Sequence, residues 1–316
     1  MTIDIDKNEN ALDVIGAAAV TKPAWRKVAD FPLVTLLIAV AGAAAVLAGV
    51  TFGLKFLPSG LGGSLDMSIR ALITVLAFFG LSKILLRHLG EDPRDDLPIH
   101  IAARDVSYGF LGGGALMTLV VGVAAILGVY RIAGLGGGTD FVMIVMQAGI
   151  MAGFVEELLL RGILFRWIEQ FAGSWAALAI SSLAFGFGHA ANDNATLFSS
   201  IAIAIEAGIL LGAAYMLTKS LWLAVGVHAG WNVVQGFVWD VPISGHQVDG
   251  LVDARLSGPE ILSGGAFGLE ASVIGLAIAT TAGIWLLSMA YRRGHIVKPW
   301  WTRRKIARLK AVAISQ

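Results

Sequence analysis

The chain has 316 residues, of which 57% are hydrophobic and only 14% are charged, and its formal net charge is +1. A soluble domain carries about 25% charged residues. With a mean hydropathy of +0.77, this composition excludes a soluble globule, a disordered chain and a nucleic-acid-binding protein. The absence of cysteine excludes disulfides, thiolate metal ligands and a cysteine nucleophile.

The N-terminal 30 residues are polar and do not have the pattern of a signal peptide, because no apolar core follows a basic start. We expect them to form a cytoplasmic tail, 1–30. The first long apolar run extends from Phe31 to about Phe56. It is too long for the core of a signal peptide and predicts an uncleaved first span.

Eight apolar segments reach or approach the roughly 20 residues that a helix needs to cross a bilayer. Open sheets are not stable in lipid, so all eight are predicted to be helices. We therefore predict an all-α, polytopic transmembrane helix bundle within 31–291, with about eight spans at 31–56, 68–87, 109–130, 141–168, 174–190, 196–217, 221–239 and 269–291.

The distribution of Lys and Arg predicts the orientation of the bundle. An even number of spans places both termini on one side, and that side carries 17 of the basic residues against 4 on the other. Both termini are therefore predicted to be cytoplasmic, in a multi-pass integral membrane protein, and we expect a bacterial inner membrane. The tail 292–316 combines basic residues with Trp300 and Trp301. It is either an ordinary positive anchor or an interfacial helix on an anionic leaflet.

Polar side chains gather in the fourth to seventh predicted spans. An ionisable group inside a span costs about 2.5–3.5 kcal/mol and therefore indicates function by default. The cluster comprises Glu156, Glu157, Arg161, Phe185, His189, Glu206, His228 and Asn232. Phe185 is included because it lies four residues before His189, on the same helix face.

Helical spacing predicts how this cluster is arranged. Glu157 and Arg161 are four residues apart, as an ion pair requires, and Glu156 lies about 100° around the same helix. At a rise of 1.5 Å per residue, Glu156 and His189 are both roughly 25 Å from the turn at Gly173. His228 and Asn232, also four residues apart, are expected in the same layer. This convergence predicts a site inside the membrane.

Glycines spaced four apart lie on the same helices, and small residues allow helices to approach closely in lipid. Such spacing also arises by chance in glycine-rich spans. The pairs are Gly149 and Gly153, Gly208 and Gly212, and Gly226 and Gly230.

The motifs EExxxR, FxxxH and HxxxN, in that order over about 142–237, resemble the CPBP family of CAAX proteases and bacteriocin-processing enzymes, also called Abi. Its best-known member is the eukaryotic Ras-converting CAAX endopeptidase. The resemblance implies an intramembrane endopeptidase that hydrolyses a membrane-associated peptide or protein of CAAX or bacteriocin/leader type. It further implies that Glu156 and His189 activate a water, while His228 and Asn232 form an oxyanion hole.

The resemblance leaves the metal question open. A metal-free mechanism, with no cofactor required, is favoured because the HExxH spacing of zinc proteases is absent. In the alternative, zinc would be held by Glu156, His189 and His228, since two histidines and a glutamate suffice as ligands. The GxSG and GxGD motifs of serine and aspartyl intramembrane proteases are also absent.

Three further alternatives stay open. Glu206 is an acid that supports the catalytic residues, an acid of the substrate cavity, or a helix–helix hydrogen bond. The chain as a whole could instead be a catalytically silent scaffold or a small proton-coupled transporter. Finally, the charge distribution places the motif layer in the half of the membrane away from the termini, whereas the family cleaves prenylated substrates at the cytosolic face.

Overall fold

Long helices form most of the chain that the computed structural model describes, which is residues 22–58 and 62–314. Most of the predicted N-terminal tail lies outside these residues. The described helices are α1 Ala24–Ala29, α2 Pro32–Gly53, α3 Gly63–Ile84, α4 Ile99–Ile126, α5 Phe141–Ala172, α6 Ser174–Gly188, α7 Leu197–Thr218, α8 Trp222–Val233, α9 Glu260–Ser263, α10 Val273–Arg292 and α11 Trp300–Ile314.

The all-α class is confirmed. Six described helices are long and apolar enough to cross a membrane: α2, α3, α4, α5, α7 and α10. The predicted fifth and seventh spans are α6, with 15 residues, and α8, with 12. The chain continues beyond α6 into a 3₁₀ turn at His189–Ala191, and beyond α8 into a π-helical segment at Val234–Val238.

Two helices differ from their predicted form. Helix α4 begins at Ile99, ten residues before the predicted start of its span, and its first turns contain the polar residues Arg104 and Asp105. Helix α5 contains π-helical segments at Ile144–Ala152 and Leu158–Phe165, with a short α-helical segment, Gly153–Glu157, between them. π-Helical bulges occur frequently at functional sites, and these two flank the paired glutamates.

A small antiparallel sheet, which was not predicted, lies outside the spans. Strand β1, Tyr130–Leu135, pairs with β2, Val252–Leu256, and a bulge interrupts the register between Ile132 and Gly134. The Asp240 carboxylate accepts hydrogen bonds from the backbone N–H groups of Gly250 and Ala254. This sheet marks one end of the bundle, which we call the sheet end.

The opposite end, the Gly173 end, contains the described parts of both termini. Phe31 lies edge-on to Trp300 at 5.8 Å, and Arg26 donates to the backbone oxygen of His88. A buried ionic cluster closes this end, in which Arg166 contacts Asp96 at 2.7 Å. Within the described residues, the two terminal segments therefore lie at the same end of the bundle, as predicted.

Helices α7 and α8 form the centre of the bundle. In the most apolar part of α7, 67% of the residues are buried, against 17% in the outer helix α2. The outer helices leave large apolar side chains exposed, such as Leu37 on α2 and Leu76 on α3. Because lipid tails are apolar, these surfaces need no protein cover and are suited to face the bilayer.

Glycines bring the inner helices into close contact, as their spacing predicted. A Cβ built on Gly226 or Gly230 would clash with a backbone oxygen of α4, and one on Gly208 would lie 2.5 Å from Ser182 on α6. On α5, a Cβ on Gly149 would lie 2.7 Å from the Val233 side chain of α8, and one on Gly153 would lie 3.3 Å from the backbone nitrogen of Ala229. These contacts confirm the three predicted glycine pairs and place the motif helices side by side.

Candidate active site

Helix α5 supplies two adjacent glutamates with different surroundings. Glu157 is completely buried, and its Oε1 accepts a hydrogen bond from Arg161 Nη1 at 2.8 Å. The predicted ion pair is therefore present. The neighbouring Glu156 is partly exposed and points elsewhere, and its Oε2 atom is buried without a hydrogen-bond partner among the described residues.

Arg161 connects α5 to the two helices that follow it. Its Nη2 donates to the backbone oxygens of Ala207 and Gly208 on α7, at 3.2 and 3.4 Å. Its guanidinium also lies 4.8 Å from the centre of the Phe185 ring on α6. The residue predicted as a structural partner of Glu157 therefore also holds three helices together.

His228 on α8 makes a contact that spacing within one helix did not predict. Its Nδ1 lies 3.1 Å from Glu157 Oε1, so the same carboxylate oxygen accepts from both His228 and Arg161. Because Nδ1 is engaged, only Nε2 of this imidazole is available to another group. Glu157 thereby orients the His228 ring.

His189 is the first residue of the 3₁₀ turn after α6. Its Nδ1 lies 2.8 Å from the backbone oxygen of Phe185, four residues earlier. A carbonyl oxygen can only accept, so Nδ1 carries the hydrogen and Nε2 keeps a free lone pair when the ring is neutral. The Phe185 ring also packs against both imidazoles, with centroid distances of 4.8 Å to His189 and 5.8 Å to His228.

Asn232, one turn after His228, is held from α5. Its Nδ2 donates to the backbone oxygen of Ala148 at 2.9 Å. A primary amide has two N–H donors, so this contact orients the group and leaves one donor for another acceptor.

These elements meet around a cavity of about 280 Å³, which we call the outer cavity. Its lining includes Glu156, His189, His228 and Asn232, together with the loop residues Ser244 and His246. The fold thus brings the four motif residues together around one space. The loop belongs to the sheet end, so the outer cavity lies on the side of the bundle away from the described termini.

Comparison with known families bears on this region of the chain. Residues 138–234 match the family model described as Rce1-like, type II CAAX prenyl endopeptidase Rce1-like. The chain carries an Rce1-like domain. Over residues 138–234, this match agrees with the predicted resemblance to CAAX proteases, and the six apolar helices support a multi-pass membrane protein. No curated protein and no solved structure matches the chain.

The Rce1-like domain begins just before α5 and ends at the last turn of α8. It therefore contains Glu156, His189, His228 and Asn232. The loop that covers the outer cavity, residues 241–248, follows the domain in sequence, and so does α10. The cavity is consequently built from the family domain and from chain outside it.

The motifs did not reveal Asn192, which lines the outer cavity three residues after His189. Its Nδ2 donates to the backbone oxygen of Ser244 at 3.1 Å and so ties the covering loop to the turn after α6. Gly245, in the same loop, has a φ of +90°, which favours glycine. In the sequence, only the polar residues that follow His189 could have indicated that Asn192 belongs to the site.

Asp249 connects this loop to the segment before α5. Its carboxylate accepts from the Thr139 hydroxyl and from the backbone N–H groups of Thr139 and Gly137. These hydrogen bonds, that of the hydroxyl first, lower the pKa of the Asp249 carboxyl below its ordinary value.

Glu206 does not line the outer cavity. It is 2% exposed and lies in a second, smaller cavity that also contacts both imidazoles. Glu270, in the 3₁₀ turn before α10, lines that cavity too and was not predicted. Its position far along the chain gave no sequence signal, because it follows the last recognisable motif by 38 residues.

The arrangement of the candidate metal ligands does not fit the zinc alternative. Among residues 22–58 and 62–314, no group of three or more His, Cys, Asp or Glu side chains is placed to hold a metal ion. Glu156, His189 and His228 therefore share a cavity without forming a three-ligand metal site.

Proposed function

We propose that this chain is an intramembrane endopeptidase in which Glu156 and His189 activate a water while His228 and Asn232 bind the oxyanion. The observation that supports it is a single cavity of about 280 Å³ lined by all four side chains. The substrate is a membrane-associated peptide or protein, of CAAX type or of bacteriocin/leader type.

Water activation follows from the free acceptors of the site. Glu156 Oε2 has no partner among the described residues, and His189 accepts through Nε2 when Nδ1 donates to Phe185. A water in the cavity donates to both and directs its lone pair at the scissile carbonyl carbon. As the C–O bond forms, Glu156 takes the proton. It returns this proton to the leaving amine as the C–N bond breaks, so the enzyme ends unchanged.

Oxyanion binding follows from the free donors. Asn232 offers the N–H that Ala148 does not use. His228 donates from Nε2 only as an imidazolium, since Nδ1 already donates to Glu157. In that form the charges of Glu156, Glu157, Arg161 and His228 cancel. Each donor aimed at a developing oxyanion is worth about 2.7–4 kcal/mol.

The proposal includes the organisation of the chain. Residues 31–291 form the transmembrane domain with a catalytic core at about 142–237, preceded by the tail 1–30 and followed by the basic tail 292–316. Both termini are cytoplasmic in a bacterial inner membrane, because basic residues accumulate at the Gly173 end.

Replacement of the general base tests this function. Glu156→Gln keeps the size of the side chain but removes the base, so cleavage should fall by about 10²–10⁴-fold. The measurement is hydrolysis of prenylated and unprenylated peptide libraries by purified protein in lipid nanodiscs, with and without chelator. Chelator should not change the rate, because the donor set does not fit a metal.

Glu260→Gln is the matched control, because Glu260 is exposed at the start of α9, away from both cavities. It should cleave at the wild-type rate, and both variants should unfold at the wild-type temperature. Full activity of the Glu156→Gln protein would remove Glu156 from the mechanism.

A further inference from the structure

A second cavity, of about 40 Å³, lies behind the two imidazoles, and we call it the inner cavity. It shares His189, His228, Asn232 and Ser244 with the outer cavity, so the two spaces adjoin. Apolar side chains from α7, α8 and α10 close its other sides, among them Leu211, Trp231 and Ala279. No step of the proposed reaction involves the inner cavity.

Two buried carboxylates make the inner cavity polar. Glu206 is 2% exposed, and its Oε2 has no hydrogen-bond partner among the described residues. Glu270 is 5% exposed and accepts from the backbone N–H of Ser244. A buried carboxylate oxygen without a donor is costly, and an occupant of the cavity that donates a hydrogen bond would offset that cost.

The start of α10 explains why Glu206 is tolerated at this place. A Cβ built on Gly275 would lie 3.1 Å from Glu206 Oε2, so the carboxylate sits beside the first turn of that helix. The positive end of a helix dipole stabilises a nearby negative charge. Glycine at this position also leaves the carboxylate room that a side chain would occupy.

The size and chemistry of the cavity identify the occupant. A water requires about 10–15 Å³ of such volume and two to four polar partners, so 40 Å³ admits about three or four waters. A metal ion fits less well, since no three ligating side chains are grouped among the described residues. Water supplies both the donors that the carboxylates need and the acceptors that the imidazoles can use.

We propose that the inner cavity is a binding site for ordered water, held by Glu206 and Glu270, which resupplies the hydrolytic water at Glu156. The role in supply rests on the proposed peptidase function. Each turnover consumes one water, and the inner cavity adjoins the outer one at His189 and His228. A water held there can refill the position beside Glu156.

Radiolytic hydroxyl labelling in nanodiscs tests the occupant directly, because bound water generates radicals that modify side chains hidden from bulk solvent. Trp231 is 8% exposed and lines the inner cavity but not the outer one. We expect it to be labelled in the wild-type protein. Absence of labelling would show a dry cavity and overturn the proposal.

A filling substitution then tests the supply of water. Ala279→Val, at a residue that is 1% exposed on α10, places two additional carbons in the cavity. It should reduce Trp231 labelling several-fold and lower kcat about tenfold, with KM unchanged. Ala207→Val fills the same space from α7 and replaces Ala279→Val if that variant unfolds. Loss of labelling with an unchanged kcat would overturn the role in supply.

Ala290→Val is the matched control, because Ala290 is fully buried on the same helix about 16 Å further along. It should change neither labelling nor kcat. The labelling readout does not depend on proteolysis. If the Glu156→Gln protein stays active while Trp231 is labelled, the proposed function fails and the water site stands.

Discussion

Glu156 and Glu157 are adjacent in sequence, yet the protein gives them opposite surroundings. Glu157 is fully buried and shares one oxygen between Arg161 and His228. Glu156 keeps a free oxygen in contact with a cavity. The first arrangement holds helices and a ring in place, and the second leaves an acceptor available for chemistry.

We expect loss of Arg161 to destabilise the protein strongly. Arg161→Met leaves the Glu157 carboxylate buried with its main counter-charge removed, and breaking a buried pair in this way costs about 3–5 kcal/mol. Adding Glu157→Gln removes the stranded charge, so the double variant should be more stable than the single one. Denaturant unfolding in mixed micelles measures both. If the two variants are equally stable, the pair does not function as an ion pair.

Among the helices, α4 and α8 approach each other closely through glycine. A Cβ on Gly113 would clash with the backbone oxygen of Val227, next to the catalytic candidate His228. Gly112, the neighbouring residue on α4, has nothing within 4 Å of its built Cβ. Replacing each of these glycines with alanine therefore distinguishes the effect of helix packing on stability from the effect of backbone flexibility.

Gly113→Ala should destabilise the bundle by about 1–3 kcal/mol, because the added methyl group forces the helices apart. Gly112→Ala should be neutral or stabilise by up to about 1 kcal/mol, since alanine restricts the unfolded backbone. Unfolding of both proteins in the same detergent measures the difference. Equal effects of the two substitutions would contradict the close contact of α4 with α8.

At the scale of the whole molecule, the two ends of the bundle differ in charge. Arg and Lys concentrate at the Gly173 end, where the described termini and the basic helix α11 also lie. The outer cavity belongs to the opposite, sheet end. If the termini are cytoplasmic, substrates reach the site from the other face of the membrane.

Reporter fusions measure this orientation. Green fluorescent protein fused to the C-terminus should fluoresce, because it folds in the cytoplasm, whereas alkaline phosphatase at the same position should be inactive. Alkaline phosphatase inserted at Gly258, in an open loop of the sheet end, should be active. The reversed pattern would place the site at the cytoplasmic face and make the charge-based orientation wrong.

The sequence alone determined the features that depend on local composition and spacing. Apolar runs established an all-α membrane protein, and four-residue spacing predicted both the Glu157–Arg161 pair and the close glycine contacts. The three motifs identified the family, and their depths along the helices predicted one layer. Each of these inferences needs only the rise of a helix and the cost of placing charge in lipid.

Only the tertiary structure decided the rest, because it depends on contacts between distant parts of the chain. Hydropathy located the apolar segments, but it does not report where an α-helix becomes a π- or 3₁₀-helix. The bond from His228 to Glu157 joins residues 71 positions apart, and Glu270 reaches the site from beyond the last motif. Side chains that meet across helices are positioned by packing, which no spacing within a single helix can predict.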